Sequence, residues 1–269
     1  MPTHLTRYPT DLTDGEWDYL RPLVPAPKSG PGKAGRPVKE ERRQMINAMF
    51  YLVRAGCAWR LLPKEFGPWE TIYGYFRAWT RDDTWRILHD TLRDCLRQTE
   101  GRAVAPTAAI IDSQSIKTPD QAGERGYDAG KKISGRKRHL AVDTLGLILA
   151  ITITAASVQD RDAAKGLIKL LLSMYRRIQI IWADGGYLGK LVDWVKQLRP
   201  YGKLRLEIVR RSDDVKGFKV LPKRWIVERT FGWLVKSRRL CRDYEVLTAH
   251  SESMIRLCMI RLMLNRLAR

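Results

Sequence analysis

Two aspartates follow apolar segments that are typical of buried strands. Asp112 comes after the run Ala108–Ile111, and Asp184 comes after residues 178–183, IQIIWA. A carboxylate at the carboxyl end of a buried strand lies at the sheet edge where open α/β folds bind ligands. Mg²⁺ prefers oxygen ligands, and two such ions can promote in-line displacement at a phosphodiester. The pattern therefore predicts metal-dependent phosphoryl transfer.

A third carboxylate is expected from a helix that crosses near those strand ends. Glu228 lies in RWIVERTFGWL, within a helix predicted over residues 222–240, at the edge of its apolar stripe. Arg224 precedes it by one turn, so the helix offers acid and cation side by side. The alternative stays open that such an Asp is a turn or cap residue and such a Glu an ion-pair partner. The competing acids are Asp143, Asp160 and Asp162.

The charge balance favours a polyanionic partner. Lys and Arg number 49 against 29 Asp and Glu, a net charge of +20. A field this positive favours nucleic acid, with a generally basic or ribosome-associated protein as the alternative. A basic segment, GKKISGRKR, is predicted to contact phosphates beside the site, or else to form a solvated basic hairpin. The cations that we predict to bind DNA are Lys131, Lys132, Arg136, Lys137, Arg138, Arg224, Arg229 and Lys236.

Other kinds of site are disfavoured. The four cysteines form no CxxC pair and the four histidines are scattered, so we expect no zinc site. The N-terminus lacks the apolar run of a signal peptide, and no stretch approaches the ~20 apolar residues of a membrane span. We therefore expect a cytoplasmic protein with free thiols and no membrane partner.

Apolar periodicity predicts two domains. Residues 1–100 contain helices only, and a helix, a short turn and a second helix in a basic context favour a helix-turn-helix DNA-binding unit. Residues 101–269 combine strands and helices. The helices predicted in the first domain cover residues 12–24, 40–54, 69–80 and 83–98.

The second domain has the order of an α/β sheet protein. One strand is followed by a two-stranded hairpin, and later strands alternate with helices. Short links predict antiparallel strands and helical connections predict parallel ones. This order is expected of an RNase H-like mixed sheet flanked by helices. The predicted strands cover residues 108–111, 138–144, 147–155, 178–183 and 204–209.

Several long motifs support this interpretation. They are IIDSQSIKT, GYDAGKKISGRKRHLAVDTLGLILA, ASVQDRD, WADGGYLG and RWIVERTFGWLVKSRRL, preceded by RAGCAWRLLPKEFGPWETIYGYFRAW. In this order they closely resemble the bacterial transposases of the insertion sequence 5 family, over residues 12–267. The resemblance implies an RNase H-like core with a DDE triad, and it maps the three acids to Asp112, Asp184 and Glu228.

The resemblance also implies an activity and partners. It implies a DNA transposase that cuts double-stranded DNA at the inverted repeats ending its own element. The freed ends are then joined to target DNA with Mg²⁺, or alternatively Mn²⁺. We expect a homodimer or higher oligomer on DNA, at the bacterial nucleoid. Two other hypotheses are an inactive DNA-binding regulator and an RNase H-like nuclease without strand transfer.

One departure from the family pattern lies around the third acid. Related transposases have a Tyr, Arg, Glu, Lys signature spaced Y-x2-R-x3-E-x6-K. Arg224 and Glu228 fit it, whereas Leu221 stands at the Tyr position and Val235 at the Lys position, with Lys236 one residue later. The Arg–Glu pair is therefore expected to keep its role, and the two flanking contacts are not.

Overall fold

The chain folds into two compact units. The first contains residues 1–100, 236–240 and 253–269, and the second contains residues 101–235 and 241–252. The division at residue 100 was expected, but the structure packs most of the last helix with the N-terminal helices. The prediction that residues 101–269 form one catalytic domain stays a prediction, because the structure divides these residues between the two units. The computed structural model describes residues 8–26, 41–120, 123–199, 202–209 and 223–269.

The first unit is helical. Thr13 caps α1 through a capping box with Glu16, as the spacing predicts. Helix α2 ends at Gly56, whose φ of 76° is a conformation that glycine adopts without strain. Only Asp82 and Asp83 separate α3 from α4. The helices are α1 (Asp14–Leu20), α2 (Arg42–Ala55), α3 (Trp69–Arg81) and α4 (Thr84–Thr99), and α8 (Thr248–Leu267) begins in the second unit and ends here.

In its described residues, the second unit is a mixed sheet with three helices of its own. Its strands are β1 (Ala108–Lys117), β2 (Gly126–Asp128), β3 (Ile133–Val142), β4 (Ile148–Ala155), β5 (Ile180–Ala183) and β6 (Arg205–Ile208). Its helices are α5 (Asp160–Met174), α6 (Lys190–Leu198) and α7 (Trp225–Val235). Among the described helices of the chain, none is both long and apolar enough to cross a membrane.

The strand order confirms the predicted topology. The sheet runs β2-β3-β1-β5-β6, and β4 pairs with β3. Strand β3 is antiparallel to β1 and β4, whereas β5 is parallel to both β1 and β6. This is the RNase H-like mixed α/β sheet expected from the sequence. The short strand β2, which pairs with the start of β3, was not predicted.

The first strand is longer than predicted. It does not end before Asp112 but continues to Lys117, because residues 112–117 pair with β3 from Leu140 to Gly135. Asp112 therefore lies within the strand. Its neighbour Ile111 belongs to the core beneath α5 and α6. Because successive strand side chains point to opposite faces, Asp112 points to the other face of the sheet.

Candidate active site

Strand register brings Asp112 and Asp184 to the same level of the sheet. Strands β1 and β5 pair in parallel, with Ile110 opposite Trp182. Asp184 continues β5 in an extended conformation, with φ −80° and ψ 178°. Two residues further along each strand, Asp112 therefore faces Asp184 across strands spaced ~4.8 Å apart. Both side chains point to one face, as the two aspartates of a shared site require.

Backbone amides fix both carboxylates. Asp184 accepts a hydrogen bond of 2.9 Å from the Gly186 N–H, which caps a short 3₁₀ turn. Asp112 accepts one of 2.7 Å from the Ser113 N–H. These contacts hold one oxygen of each carboxylate and leave the other oxygen for a further ligand.

The Asp112 carboxyl group has a strongly perturbed pKa. Burial raises it from 3.8 to about 7. The Ser113 N–H lowers this pKa, the Asp184 carboxylate raises it, and the Arg224 and Lys131 side chains lower it. A carboxyl group with such a pKa exchanges its proton for a cation at neutral pH, because the cation offsets both desolvation and the neighbouring negative charge.

Helix α7 and the turn residue before it bring Glu228 and Arg224 to the sheet. The helix contacts β1 and β3, and Arg224 is near enough to Asp112 to affect its pKa. The Glu228 carboxylate forms an ion pair of 2.8 Å with Arg224 and is 49% exposed. Within the described ranges, no three Asp, Glu, His or Cys side chains lie close enough to hold one metal ion. The structure therefore brings Asp112 and Asp184 together and links Glu228 to them through Arg224.

The two aspartates fit a divalent cation as donors. Adjacent carboxylates supply the hard oxygen ligands that Mg²⁺ and Mn²⁺ take, with open positions left for water and phosphate. Neither Asp112 nor Asp184 forms an ion pair with a side chain in the part of the chain that is described. The pair therefore offers two free ligands rather than a closed ion pair.

The competing acids have structural roles. Asp143 is fully buried and accepts hydrogen bonds from Leu145 N at 2.9 Å and Leu147 N at 2.8 Å, which shape the turn between β3 and β4. The other two pair with cations: Asp160 with Lys137 at 3.2 Å and Asp162 with Lys165 at 3.6 Å.

Three of the predicted DNA-binding cations are buried. Arg136, Lys137 and Arg138 are 0%, 6% and 1% exposed. Arg136 donates hydrogen bonds to three backbone carbonyls, and Lys137 pairs with Asp128 at 3.5 Å as well as with Asp160. A phosphate requires an accessible cation, so burial of these side chains inside the fold disagrees with the predicted role.

The remaining predicted cations are more accessible. Lys131 and Lys132 are exposed in the turn before β3, and Lys236 is exposed after α7. Arg229 is partly buried, and its guanidinium lies 4.5 Å and 4.7 Å from the ring centroids of Trp225 and Trp233. Phosphate contact by Lys131, which also lies near Asp112, remains a prediction.

One residue near the site was missed from the sequence. Tyr187 is 3% exposed and lies near the Ser113 side chain. Burial raises the pKa of its hydroxyl well above 10, and the nearby carboxylates of Asp112, Asp160 and Asp184 raise it further. The hydroxyl therefore stays a neutral donor beside the two aspartates. The only sequence signal is its place three residues after Asp184.

Comparison with known proteins identifies the family. The model of the family described as "Transposase DDE domain" matches residues 105–263, which include both aspartates and α7. The chain belongs to this family. A second model, described as "Putative transposase of IS4/5 family", matches residues 12–89 of the transposase. Family members use divalent metal ions in DNA cleavage and transfer, and nothing in these matches favours a regulator or a simple nuclease.

Two proteins of Burkholderia cepacia are related to this transposase. The "Insertion element IS402 uncharacterized 16.2 kDa protein" is 28% identical over 45% of this chain and 78% of its own length. The "Putative transposase for insertion sequence element IS402" is 30% identical over 51% of this chain and 64% of its own length. Among solved structures, the "Crystal structure of the Mos1 Strand Transfer Complex" aligns over 87% of this chain and 78% of that chain at 11% identity. Its TM-score of 0.31 is too low to add to the assignment.

Proposed function

We propose that the transposase cuts DNA at the inverted repeats of its own element and joins the freed ends to target DNA, with Mg²⁺ bound by Asp112 and Asp184. The observation that supports this most directly is the parallel register that aligns the two aspartates beside α7. When bound, the cation lowers the pKa of water and stabilises charge on the phosphodiester oxygens. Mn²⁺ has the same ligand preference and is expected to substitute.

The protein groups act by position and charge. Asp112 and Asp184 supply fixed carboxylates, and Glu228 is proposed as the third acid of the triad. Arg224 is 31% exposed, so its outer edge can contact a phosphate while its ion pair holds Glu228. Lys131, exposed and near Asp112, is proposed to hold the scissile strand. Orienting the phosphodiester and balancing its charge account for most of such catalysis, so no protein nucleophile is needed.

The proposed reaction has two successive chemical steps. Water attacks the phosphodiester at the element's end and releases a 3′-hydroxyl, which then attacks a target phosphodiester. Joining both ends at one target needs two active sites held together, so we propose at least a homodimer on DNA, acting at the nucleoid. The net charge of +20 supports attraction to DNA over long range.

The test is cleavage of a duplex that contains the element's end. Asp184→Asn removes a charged ligand but keeps the side chain's size and its hydrogen bond to Gly186. Cleavage with Mg²⁺ should fall by at least ~100-fold, as for loss of a group that stabilises the transition state. Asp193→Asn is the matched control, because Asp193 is an exposed acid that pairs with Lys196. Its cleavage rate should match that of the wild type.

Product analysis separates the joining activity from simple cleavage. Wild-type protein with both DNA ends and a target plasmid should give joined strands on a denaturing gel. Undiminished cleavage by Asp184→Asn would exclude the proposed metal site. Cleavage without joined products would instead indicate an RNase H-like nuclease that lacks strand transfer.

A further inference from the structure

The first unit presents two arginines on a row of aromatic rings. The guanidinium carbon of Arg60 lies 5.0 Å from the ring centroid of Trp69, and that of Arg77 lies 5.7 Å from the ring of Tyr73. The rings of Trp69 and Tyr73 are 6.4 Å apart. These four residues form a continuous row, Arg60–Trp69–Tyr73–Arg77, which we call the arginine ladder.

The ladder rests on the helical core. The Trp59 ring lies 5.0 Å from that of Tyr73 and 5.2 Å from that of Phe76, which is fully buried. Trp69 and Tyr73 are partly buried, whereas Arg60 and Arg77 are exposed. The rings are therefore held from below by the core, and the two cations lie at the surface.

The arginines of the ladder differ from those of α4 in their ion pairs. Among the described residues, no carboxylate forms an ion pair with Arg60 or Arg77. Helix α4 differs, because Arg86 pairs with Asp83 at 3.0 Å and with Asp90 at 3.7 Å. Within the described residues, the charges of Arg60 and Arg77 are therefore uncompensated, whereas that of Arg86 is compensated.

Stacking prepares these arginines for a phosphate. A guanidinium that lies on a ring keeps its N–H edges free and has already lost much of its rotational freedom. Arg81, exposed one turn beyond Arg77, continues the cationic row along α3. On the same helix, a Cβ atom on Gly74 would meet nothing within 4 Å, so a ligand can approach the helix surface closely there.

We propose that the arginine ladder binds the phosphodiester backbone of duplex DNA at the element's ends. The proposal rests on the proposed function, which supplies double-stranded DNA as the substrate. Arg60 and Arg77 each contact one phosphate, and the rings keep them in place. Because phosphate contacts do not depend on the base pairs, the ladder positions the duplex while other residues read its sequence.

An acidic residue on α3 provides a further test of the proposal. Glu70 is exposed next to Trp69, and its negative charge opposes an approaching phosphate. Glu70→Gln should therefore tighten DNA binding.

The experiment measures Kd by fluorescence anisotropy with the full chain in EDTA, where no cleavage occurs. The probes are a labelled duplex that contains the terminal inverted repeat and a scrambled duplex of the same length, measured from about 50 to about 300 mM NaCl, a roughly sixfold range of salt. The slope of log K against log salt is negative. Arg60→Gln and Arg77→Gln should each make it shallower by ~0.9 on both duplexes, and the double variant should make it shallower by ~1.8.

Two further variants separate charge from stacking. Tyr73→Leu keeps every charge but removes the ring beneath Arg77, so Kd should rise roughly 2- to 12-fold with an unchanged salt slope, the range expected from ordering one flexible side chain. Tyr73→Phe keeps the ring and should bind like the wild type. Arg86→Gln is the matched control on α4, and its salt slope should equal that of the wild type.

The outcomes distinguish this proposal from the proposed function. If the wild type binds DNA but Arg60→Gln and Arg77→Gln keep its salt slope, the ladder is not a DNA surface, and the active-site proposal is unaffected. An equal loss of slope in Arg86→Gln would likewise overturn the ladder, because it would show a general charge effect. Undiminished cleavage by Asp184→Asn would instead contradict the proposed metal site, and the result for DNA binding by the ladder would still stand. Circular dichroism of each variant confirms that it is folded.

Discussion

Replacing Arg136 by methionine should destabilise the protein strongly. The Arg136 guanidinium is completely buried and donates hydrogen bonds to the carbonyls of Glu124, Glu245 and Val246 at 2.6 to 2.7 Å. It also lies 3.4 Å from the carboxylate of Asp243, which is 2% exposed. One side chain therefore joins β3 to the segment 241–252.

The magnitude follows from what the methionine would leave behind. A buried carbonyl that loses its donor costs ~1–3 kcal/mol, and a buried ion pair that loses one partner costs ~3–5 kcal/mol. Even with partial relaxation, the free energy of unfolding should fall by at least ~4 kcal/mol. That is a large part of the ~5–15 kcal/mol that stabilises a typical domain.

Urea unfolding followed by tryptophan fluorescence measures this loss. Lys131→Met is the matched control, because it removes one positive charge from an exposed position nearby and should change stability by no more than ~0.5 kcal/mol. Adding Asp243→Asn to Arg136→Met should restore part of the stability, since the uncompensated charge is then gone. If Arg136→Met kept wild-type stability but lost DNA affinity, Arg136 would be a phosphate ligand and the reasoning from burial would be wrong.

Three other predictions follow from buried or paired groups. Burial lowers the pKa of His139 from 6.5 to about 4, so the unfolded chain binds the proton first as pH falls. This group should lower the free energy of unfolding between pH 6.5 and 4, by up to ~3 kcal/mol, whereas the raised pKa of Asp112 acts in the opposite direction over the same range. Urea titrations should therefore compare the wild type with His139→Gln, in which Asp112 is unchanged. The difference in stability between the two proteins should shift by up to ~3 kcal/mol from pH 6.5 to 4, and a constant difference would contradict the prediction. Thr230→Val removes the 2.8 Å hydrogen bond to the Gly146 carbonyl and should cost ~1–3 kcal/mol; calorimetry that shows an unchanged Tm would count against this. Glu228→Gln should lower cleavage by at least ~100-fold while changing stability by under ~1 kcal/mol, because its ion pair is half-exposed; a large loss of stability would point to a structural role instead.

Most strands of the sheet were predicted from the sequence, because the buried strands are runs of apolar residues. Asp184 stands at the end of β5 as expected, since IIWA is buried on both sides of the strand and the polar residue after it ends the run. The same reasoning wrongly predicted that the first strand ends at Asp112. The strand continues through Ser113 and Ser115 because its hydrogen-bonding partner is β3, and pairing with a neighbour does not require apolar side chains.

The buried cations of β3 could not be predicted locally. In a sequence, Arg136 and Lys137 look like a solvated basic run, as they would be if β3 faced water. Their partners, such as the Val246 carbonyl and Asp160, come from distant parts of the chain. A buried charge is stable only when tertiary structure supplies its counter-charge and acceptors, so its location depends on information that no short window contains. The arginine ladder was missed for the related reason that its aromatic residues resemble core residues.

The pairing of β1 with β5 has a consequence for folding. Strand β1 pairs with β3 across a connection of 15 residues that contains β2, whereas β2, β3, β4 and α5 all come between β1 and β5 in the chain. Pairings between distant segments form slowly because the intervening chain must first lose its freedom. The two aspartates lie one on each side of that late pairing, so a partly folded chain that lacks it has no paired carboxylates. On the proposed metal site, metal affinity should therefore appear during refolding only when β5 joins β1, and molecules that lack this pairing should not cleave DNA.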